Sequence, residues 1–400
     1  MVFVDLYLIS VILAFAILAV AIYKDRKNIE FKYILFMRRT KRFRDAIDKI
    51  AQKSPMFWKI IGNIGIIISF FVMFYTLYII GNQIYLVYSG VIQQPALQIL
   101  LPTPSSTGSS GPGFILIPFW FWIIIIGVIL IPHELSHGII ARAEKIKLKS
   151  VGLLLLLIFP GAFVEPDENQ VKKSKLLTKL RIFSAGSFAN FSISFVIFIL
   201  TLYVIWPALT LPTTSMSLIS VNETGPAYLA GLRDNMTITE INGKPITPTY
   251  FLYLPGFLDS DYVNKAIYFL DNIGNSQPGD EITIQADGRT FDMILGDHPN
   301  FPGQGIPYMG IRYQNNQVLE SGVAGYGGIL IQLLTMIWLF SLAVGAFNIL
   351  PLYPLDGGLM VQAVSERFFK KRSKQIVRGI SYVLLIALLY MIFGPVLQNL

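Results

Sequence analysis

Several residue types that secreted and soluble proteins use freely are scarce in this sequence of 400 residues. It contains no cysteine, which excludes a disulfide framework and a zinc site built on thiolates. Any metal ion must therefore be held by histidine and carboxylate side chains. Histidine occurs only three times, so two histidines at a close spacing are informative.

Charged residues are also few. They make up 14% of the chain, against 54% hydrophobic residues and a mean hydropathy of +0.58, whereas a soluble domain carries about 25% charged residues. The composition predicts a polytopic α-helical membrane protein whose main partner is the lipid bilayer. The net charge of +8 does not indicate nucleic acid, because the basic residues lie in short loops beside apolar runs and form no patch interleaved with aromatic residues.

The strongest motif is His133-Glu134-Leu-Ser-His137, which follows a long apolar run that begins at Phe114. Residues four apart share one face of a helix, so both imidazoles can reach one zinc ion while Glu134 stands beside them as general base. A hydrogen-bonded pair of structural histidines is the alternative interpretation. The apolar setting favours the zinc site, because ionisable groups inside a membrane span are costly and usually functional.

Hydropathy and loop charge together predict six transmembrane helices in a multi-pass protein of the cell membrane, with both termini outside. The predicted spans are 1–23, 60–88, 114–141, 182–206, 324–350 and 380–397. The segments between them are 24–59, 89–113, 142–181, 211–322 and 351–379. Ala19-Val20-Ala21 resembles a signal-peptide cleavage site, but Asp5 before the run and Lys24 after it reverse the charge order of a signal peptide. We therefore expect an uncleaved anchor.

The loops differ in their charge. Segment 24–59 is rich in lysine and arginine, which predicts a cytoplasmic loop that either lies partly on the membrane surface or is merely solvated. Segment 89–113 has no lysine or arginine and ends in a Pro/Ser/Gly run, as expected of an external loop. Within 142–181, the apolar stretch 151–160 is too short to cross a core of about 30 Å. We expect it to form a re-entrant β-hairpin on the cytoplasmic side, with an edge that can accept an extended peptide.

Segment 211–322 has the alternating pattern and turn signals of an extracytoplasmic, β-rich domain. The predicted strands are 236–241, 281–285 and 290–295, with turns at Asn242-Gly243 and Asp287-Gly288. The turn Gly225-Pro-Ala-Tyr-Leu-Ala-Gly-Leu232 resembles that of PDZ domains attached to prokaryotic proteases, although Asn235 stands where those usually have Pro-Gly-Asp. By this resemblance 259–274 is the helical part. We expect His298, in the same domain, to be an ordinary surface residue.

Two further membrane segments carry polar residues. The fourth span begins with small residues and includes Asn190, which serves either helix packing or function. The fifth span ends near Asn348, and the following prolines and glycines break the helix at the depth expected for His133. Asp356, in this break, is a carboxylate at the right level to complete a zinc site.

Together, these motifs resemble those of the site-2 protease family of intramembrane zinc metalloproteases, in its prokaryotic and archaeal form with an inserted PDZ domain. The resemblance implies that His133, His137 and Asp356 bind Zn²⁺, that Glu134 is the catalytic base and that Asn190 and Asn348 bind substrate. The family's asparagine positions fall on Asn190 and Asn348. Residues 161–168 match the hairpin that follows the second histidine in this family, and the resemblance implies that this hairpin docks the substrate.

The same resemblance implies regulated intramembrane proteolysis: hydrolysis within the transmembrane segment of a membrane-bound partner, such as an anti-sigma factor or signalling protein. The PDZ-like domain is then expected to bind the substrate's ectodomain or a freshly exposed C-terminus.

Two alternatives stay open. A quality-control membrane metallopeptidase would use a glutamate as third ligand, namely Glu144, Glu165 or Glu168. A catalytically silent PDZ-bearing scaffold would not need Glu134.

Overall fold

The computed structural model describes residues 6–398 apart from 33–34, 91–94, 96, 107, 112, 157–158, 206–214, 246–275, 300–302, 304, 306 and 316–323. The chain divides into two compact units. The first comprises 1–197 and 336–400, and the second comprises 198–335.

Six helices in the described part of the chain are long and apolar enough to cross a membrane, which confirms the predicted number of spans. They are α1 (Leu6–Asp25), α3 (Pro55–Tyr88), α4 (Phe119–Ala143), α6 (Leu176–Leu200), α8 (Ala324–Asn348) and α10 (Ser373–Gln398). Shorter helices are α2 (Lys41–Lys53), α5 (Glu168–Lys173), α7 (Pro226–Leu229) and α9 (Asp356–Phe369). The protein is a multi-pass membrane protein.

The basic segment 24–59 is structured. Strands β1 (Ile29–Lys32) and β2 (Leu35–Arg39) form an antiparallel hairpin, and α2 follows. On α2, Ile47 is buried against the helix that carries the histidine motif, where Gly138 leaves room for it. α3 begins at Pro55 rather than at the predicted residue 60, because proline is well suited to the first helical turn.

The third span begins later than predicted. Phe114–Pro118 is not helical but forms strand β5, which pairs with β3 (Ile99–Thr103) and β4 (Ser109–Gly111) in a three-stranded sheet. The predicted external loop therefore contains two strands. An apolar run of this length suits a strand or a helix equally, and Pro118 makes the difference because it starts a new helix at Phe119.

The hairpin predicted within 142–181 consists of β6 (Leu148–Leu156) and β7 (Phe159–Pro166). It joins the first hairpin in an antiparallel sheet of order β1-β2-β6-β7. The carbonyl group of Val151 on β6 accepts from the Thr40 N–H at 2.8 Å, on the β2 side. Its partner on β7, Val164, therefore directs its own N–H and C=O away from β6. β7 is thus an edge strand with outward-facing backbone groups at Val164 and, two residues before it, at Ala162.

The second unit is built on a six-stranded sheet of order β12-β11-β9-β8-β15, with β10 paired to β9. Its strands are β8 (Met216–Val221), β9 (Thr237–Ile241), β10 (Lys244–Pro245), β11 (Glu281–Ala286), β12 (Arg289–Ile294) and β15 (Ile311–Asn315). A separate pair is β13 (Gly296–Asp297) with β14 (Pro307–Tyr308). The three predicted strands are confirmed, and so are the two turns, whose residues all have positive φ.

The core of this unit follows the alternation of the strands. Met216, Leu218, Ile238 and Ile284 are at most 1% exposed and pack in one apolar cluster. Asn235 has a φ of +66°, a conformation that asparagine tolerates better than most residues. The predicted helix 259–274 lies outside the described residues.

The prediction that His298 is a surface residue was wrong. It is 7% exposed, and its ring lies edge-on to Tyr308 with a centroid distance of 5.4 Å. The β13–β14 pairing brings the two rings together, a contact that the position of His298 in the sequence does not reveal.

Candidate metal centre and active site

The histidine motif lies in the C-terminal half of α4. His133 is buried, His137 is partly buried, and their Nε2 atoms lie 3.3 Å apart. The two rings are nearly perpendicular, with an interplanar angle of 76°. The i and i+4 positions therefore bring both Nε2 atoms to one point, as helix geometry requires.

Asp356 reaches the same point from a distant part of the chain. α8 ends at Asn348, residues 349–355 are not helical, and Asp356 is the first residue of α9. The predicted break in the helix is therefore present. Asp356 Oδ2 lies 3.4 Å from His133 Nε2, and Oδ1 lies 3.4 Å from His137 Nε2. A Cβ atom at Gly358 would lie 2.6 Å from the backbone of Leu352, so only glycine lets α9 begin so close to this loop.

The three side chains fit a zinc ion. Each offers one ligand atom, and these atoms lie within 4.8 Å of one another. Ligand atoms bound tetrahedrally at about 2.0–2.1 Å from zinc are separated by about 3.3–3.4 Å. The 3.3 Å between the two imidazole nitrogens matches this separation, and each carboxylate oxygen of Asp356 lies 3.4 Å from a different one of them. A Cβ atom on Gly186 would lie 2.5 Å from His133 Nε2 and would also overlap His137 Nε2. Glycine thus keeps a space open where the donor atoms converge.

Residues of α6 lie within hydrogen-bond distance of the Nδ1 atoms of both histidines. The Nδ1 atom of His137 lies 2.6 Å from the carbonyl oxygen of Ile182, and Nδ1 of His133 lies 3.1 Å from the side-chain amide of Asn190. Hydrogen bonds of this kind fix the orientation of a ligating imidazole and leave Nε2 for the metal. The structure therefore places Asn190, predicted as a substrate-binding residue, against a candidate metal donor.

α6 contacts the third donor as well. Ser187 Oγ donates to Asp356 Oδ2 at 3.2 Å. Sequence analysis missed the parts played by Ile182, Gly186 and Ser187. The available signal was the run of small residues at the start of the fourth span, which we interpreted only as helix packing.

Glu134 lies beside the donors and contacts the edge strand. Its Oε2 accepts a hydrogen bond of 3.1 Å from the backbone N–H of Val164. Val164 belongs to the predicted hairpin 161–168, so the structure brings that segment to the site. The contact fits the outward direction of the Val164 N–H on β7.

The glutamates of the alternative ligand set are engaged elsewhere. Their partners are Arg181 at 2.5 Å and Thr178 at 3.0 Å for Glu144, Ser150 at 2.6 Å for Glu165, and Lys172 at 2.9 Å for Glu168. Among the described residues, the only group of three histidine, cysteine or acidic side chains that could hold a metal is the one that contains Asp356. The other predicted substrate residue, Asn348, is partly buried at the end of α8.

Comparison with known proteins agrees with this geometry. The family model of Peptidase family M50 matches residues 121–392, a range that contains all the candidate donors and Glu134. The chain is also 29% identical over 383 residues to the uncharacterized protein MJ0971 of Methanocaldococcus jannaschii, covering 94% of this chain and 90% of that protein. The family match extends over more than half of the sequence. The chain therefore belongs to peptidase family M50, the site-2 protease family of membrane metalloproteases.

Proposed function

We propose that this protein is a zinc-dependent endopeptidase that hydrolyses peptide bonds within the transmembrane segments of membrane proteins. The observation that carries the proposal is the convergence of His133, His137 and Asp356, whose ligand atoms lie within 4.8 Å of one another, with Glu134 beside them on an apolar helix. Such a donor set leaves a fourth position for water or substrate. The engagement of the other glutamates supports Asp356 as the third ligand.

Zinc, when bound, supplies a Lewis acid that polarises the scissile carbonyl group and acidifies a water molecule. The water oxygen adds to the carbonyl carbon, the C–N bond breaks, and one proton must travel from the water to the leaving amine. Glu134 carries that proton. The hydrogen bond from the Val164 N–H to Oε2 fixes the carboxylate while it receives the proton.

The edge of β7 suits an extended substrate. Beyond the N–H that Glu134 uses, the outward backbone groups include the C=O of Val164 and both groups of Ala162. An added strand would pair with these groups. A transmembrane helix hides its own carbonyl groups in hydrogen bonds, so the substrate must unwind before it binds. We expect a single-span substrate with helix-weakening residues, and Asn190 and Asn348 stay predicted contacts for its backbone.

A cavity of about 330 Å³ reaches Ile182 on α6, and we propose it as the route by which water reaches the site. Its lining includes Ile182, whose carbonyl group bonds His137, and the polar side chains of Lys179 and Glu366, which pair at 3.0 Å. Partial burial raises the pKa of Glu366, but its hydrogen bond with Gln362 and the ammonium group of Lys179 outweigh burial and lower it. A cavity lined by charged groups stays hydrated.

The second unit is proposed to act as a PDZ-like domain on the external face of the cell membrane. It would exclude intact substrates until another protease trims their ectodomain, or it would bind the exposed C-terminus. Membrane-bound signalling proteins, such as anti-sigma factors, are the proposed substrates. Replacement of 211–322 by a short linker should permit cleavage of untrimmed substrate, and unchanged selectivity would count against both roles.

The deciding experiment is cleavage of a single-span substrate by purified protein in detergent, with zinc content measured alongside. Glu134→Ala should abolish cleavage and retain zinc, because it removes the proton carrier and none of the donors. Asp356→Ala should lose both. Activity that survives Glu134→Ala would indicate a different active site, and zinc retained by Asp356→Ala would indicate a different third ligand. No cleavage by the wild-type protein would favour the scaffold.

A further inference from the structure

The side chain of Asn190 has an unusual position. It is fully buried, one end of its amide faces His133 Nδ1, and its Oδ1 atom has no hydrogen-bond partner among the described residues. A buried polar atom without a partner destabilises the folded protein. The position therefore demands an explanation beyond helix packing.

The neighbouring histidine shows what the site requires. His137 faces the carbonyl oxygen of Ile182, which can only accept a hydrogen bond, so the hydrogen of this imidazole is on Nδ1. Its Nε2 lone pair is then free at the point where the donors converge. His133 must have the same tautomer if its Nε2 is to bind a metal, and its Nδ1–H then needs an acceptor.

The two ends of the Asn190 amide exchange places when the amide rotates by 180°. With the amide nitrogen next to His133, two N–H donors face each other and the oxygen has no partner. The rotated amide places Oδ1 at 3.1 Å from His133 Nδ1, so the Nδ1–H has an acceptor and the amide oxygen has a donor. In this orientation the amide nitrogen has no hydrogen-bond partner among the described residues.

We propose that Asn190 is a positioning residue whose amide oxygen accepts from the Nδ1–H of His133 and holds this imidazole in the tautomer and orientation that bind zinc. The inference rests on the proposed function, because it assumes that His133 is a zinc ligand. A positioning role and a substrate contact place different hydrogen-bonding demands on the Asn190 amide. A contact with a carbonyl oxygen of the substrate requires the N–H₂ donor, whereas positioning of His133 requires the oxygen.

Two variants of Asn190 separate these requirements. Asn190→Asp replaces the amide by a carboxylate, which accepts and cannot donate, and Asn190→Leu removes the acceptor at similar volume. Both would be prepared as full-length protein in detergent, and zinc affinity would be measured by competition with a chelator. The visible spectrum of the Co²⁺-substituted protein would report whether the donors still surround the metal tetrahedrally. A matched control is Ser194→Ala, since Ser194 lies one turn further along α6 and donates to the carbonyl oxygen of Trp338.

We expect Asn190→Leu to weaken zinc binding by about 10- to 100-fold, as loss of a partner to a ligating imidazole does. Asn190→Asp should keep the wild-type affinity and cobalt spectrum, and Ser194→Ala should too. Wild-type affinity in Asn190→Leu would overturn the proposal. So would equal losses in Asn190→Leu and Asn190→Asp, because the donor would then be the group that matters. If wild-type protein itself bound no zinc through His133, the proposed function would fail instead.

Discussion

Gly186 gives the most direct test of the metal centre, because substitution by alanine adds a single carbon atom at a known place. The added Cβ would lie 2.5 Å from Nε2 and 2.6 Å from Cε1 of His133. Carbon and nitrogen atoms without a bond between them rest at about 3.5 Å. The imidazole must therefore retreat by about 1 Å or α6 must move away by as much.

Either movement is large on the scale of a metal site, where ligand distances vary by about 0.2 Å. Loss of an outer hydrogen bond to a ligand costs about 10- to 100-fold in affinity, and displacement of a donor atom costs more. We expect Gly186→Ala to bind zinc at least about 100-fold more weakly than wild type. Because overpacking also destabilises by about 1–3 kcal/mol, the thermal midpoint should fall as well.

The assay is zinc affinity by chelator competition in detergent, with thermal unfolding as a check of the fold. Gly127→Ala is the matched control, since Gly127 lies on α4 and a Cβ atom there would meet nothing within 4 Å. It should bind zinc normally and, as an alanine in a helix, be no less stable. A Gly186→Ala protein that binds zinc as tightly as Gly127→Ala would refute the placement of this glycine at the donor atoms.

Three further changes test the surroundings of the site and the second unit. Arg181→Met leaves the 8%-exposed carboxylate of Glu144 without its charge partner and should destabilise the protein by about 3–5 kcal/mol, measured by thermal unfolding. Val164→Pro removes the N–H that holds Glu134 and spares the sheet ladder, so kcat should fall by about 10- to 100-fold with zinc content unchanged. Ile284→Ala opens a cavity at a fully buried position and should lower the stability of the second unit by about 2–5 kcal/mol, measured by denaturant unfolding of the full chain.

Each of these changes has a control in the same structure. Lys172→Met breaks the exposed pair with Glu168 and should leave the thermal midpoint unchanged. Phe163→Pro removes an N–H that points into the sheet, so it should disrupt the fold where Val164→Pro does not. Ile294 lies on the same hairpin as Ile284 but is 64% exposed, so Ile294→Ala should lower the stability of the second unit by less than about 0.5 kcal/mol. Equal effects in a test variant and its control would contradict the corresponding argument.

The two histidines of the site, their common face and the number of spans could be predicted because they depend on local rules. The i and i+4 positions coincide on any helix, and an apolar run of sufficient length spans a bilayer in any fold. Helix-breaking residues predicted the loop between α8 and α9 and made Asp356 a candidate, and the resemblance implied that it is the third ligand. Element boundaries were less certain, as at Phe114–Pro118, where strand pairing with β3 overrode a helical interpretation.

Tertiary structure decided everything that depends on which residues meet across the chain. α6 supplies a partner to each metal donor, the β7 edge supplies the N–H that holds Glu134, and Arg181 takes Glu144 out of the candidate ligand set. No local pattern encodes these contacts, because each joins segments whose separation in sequence is bridged only by packing. The sequence by itself thus determined the chemistry that the site can perform, while the fold decided how its donors are oriented and which carboxylate completes them.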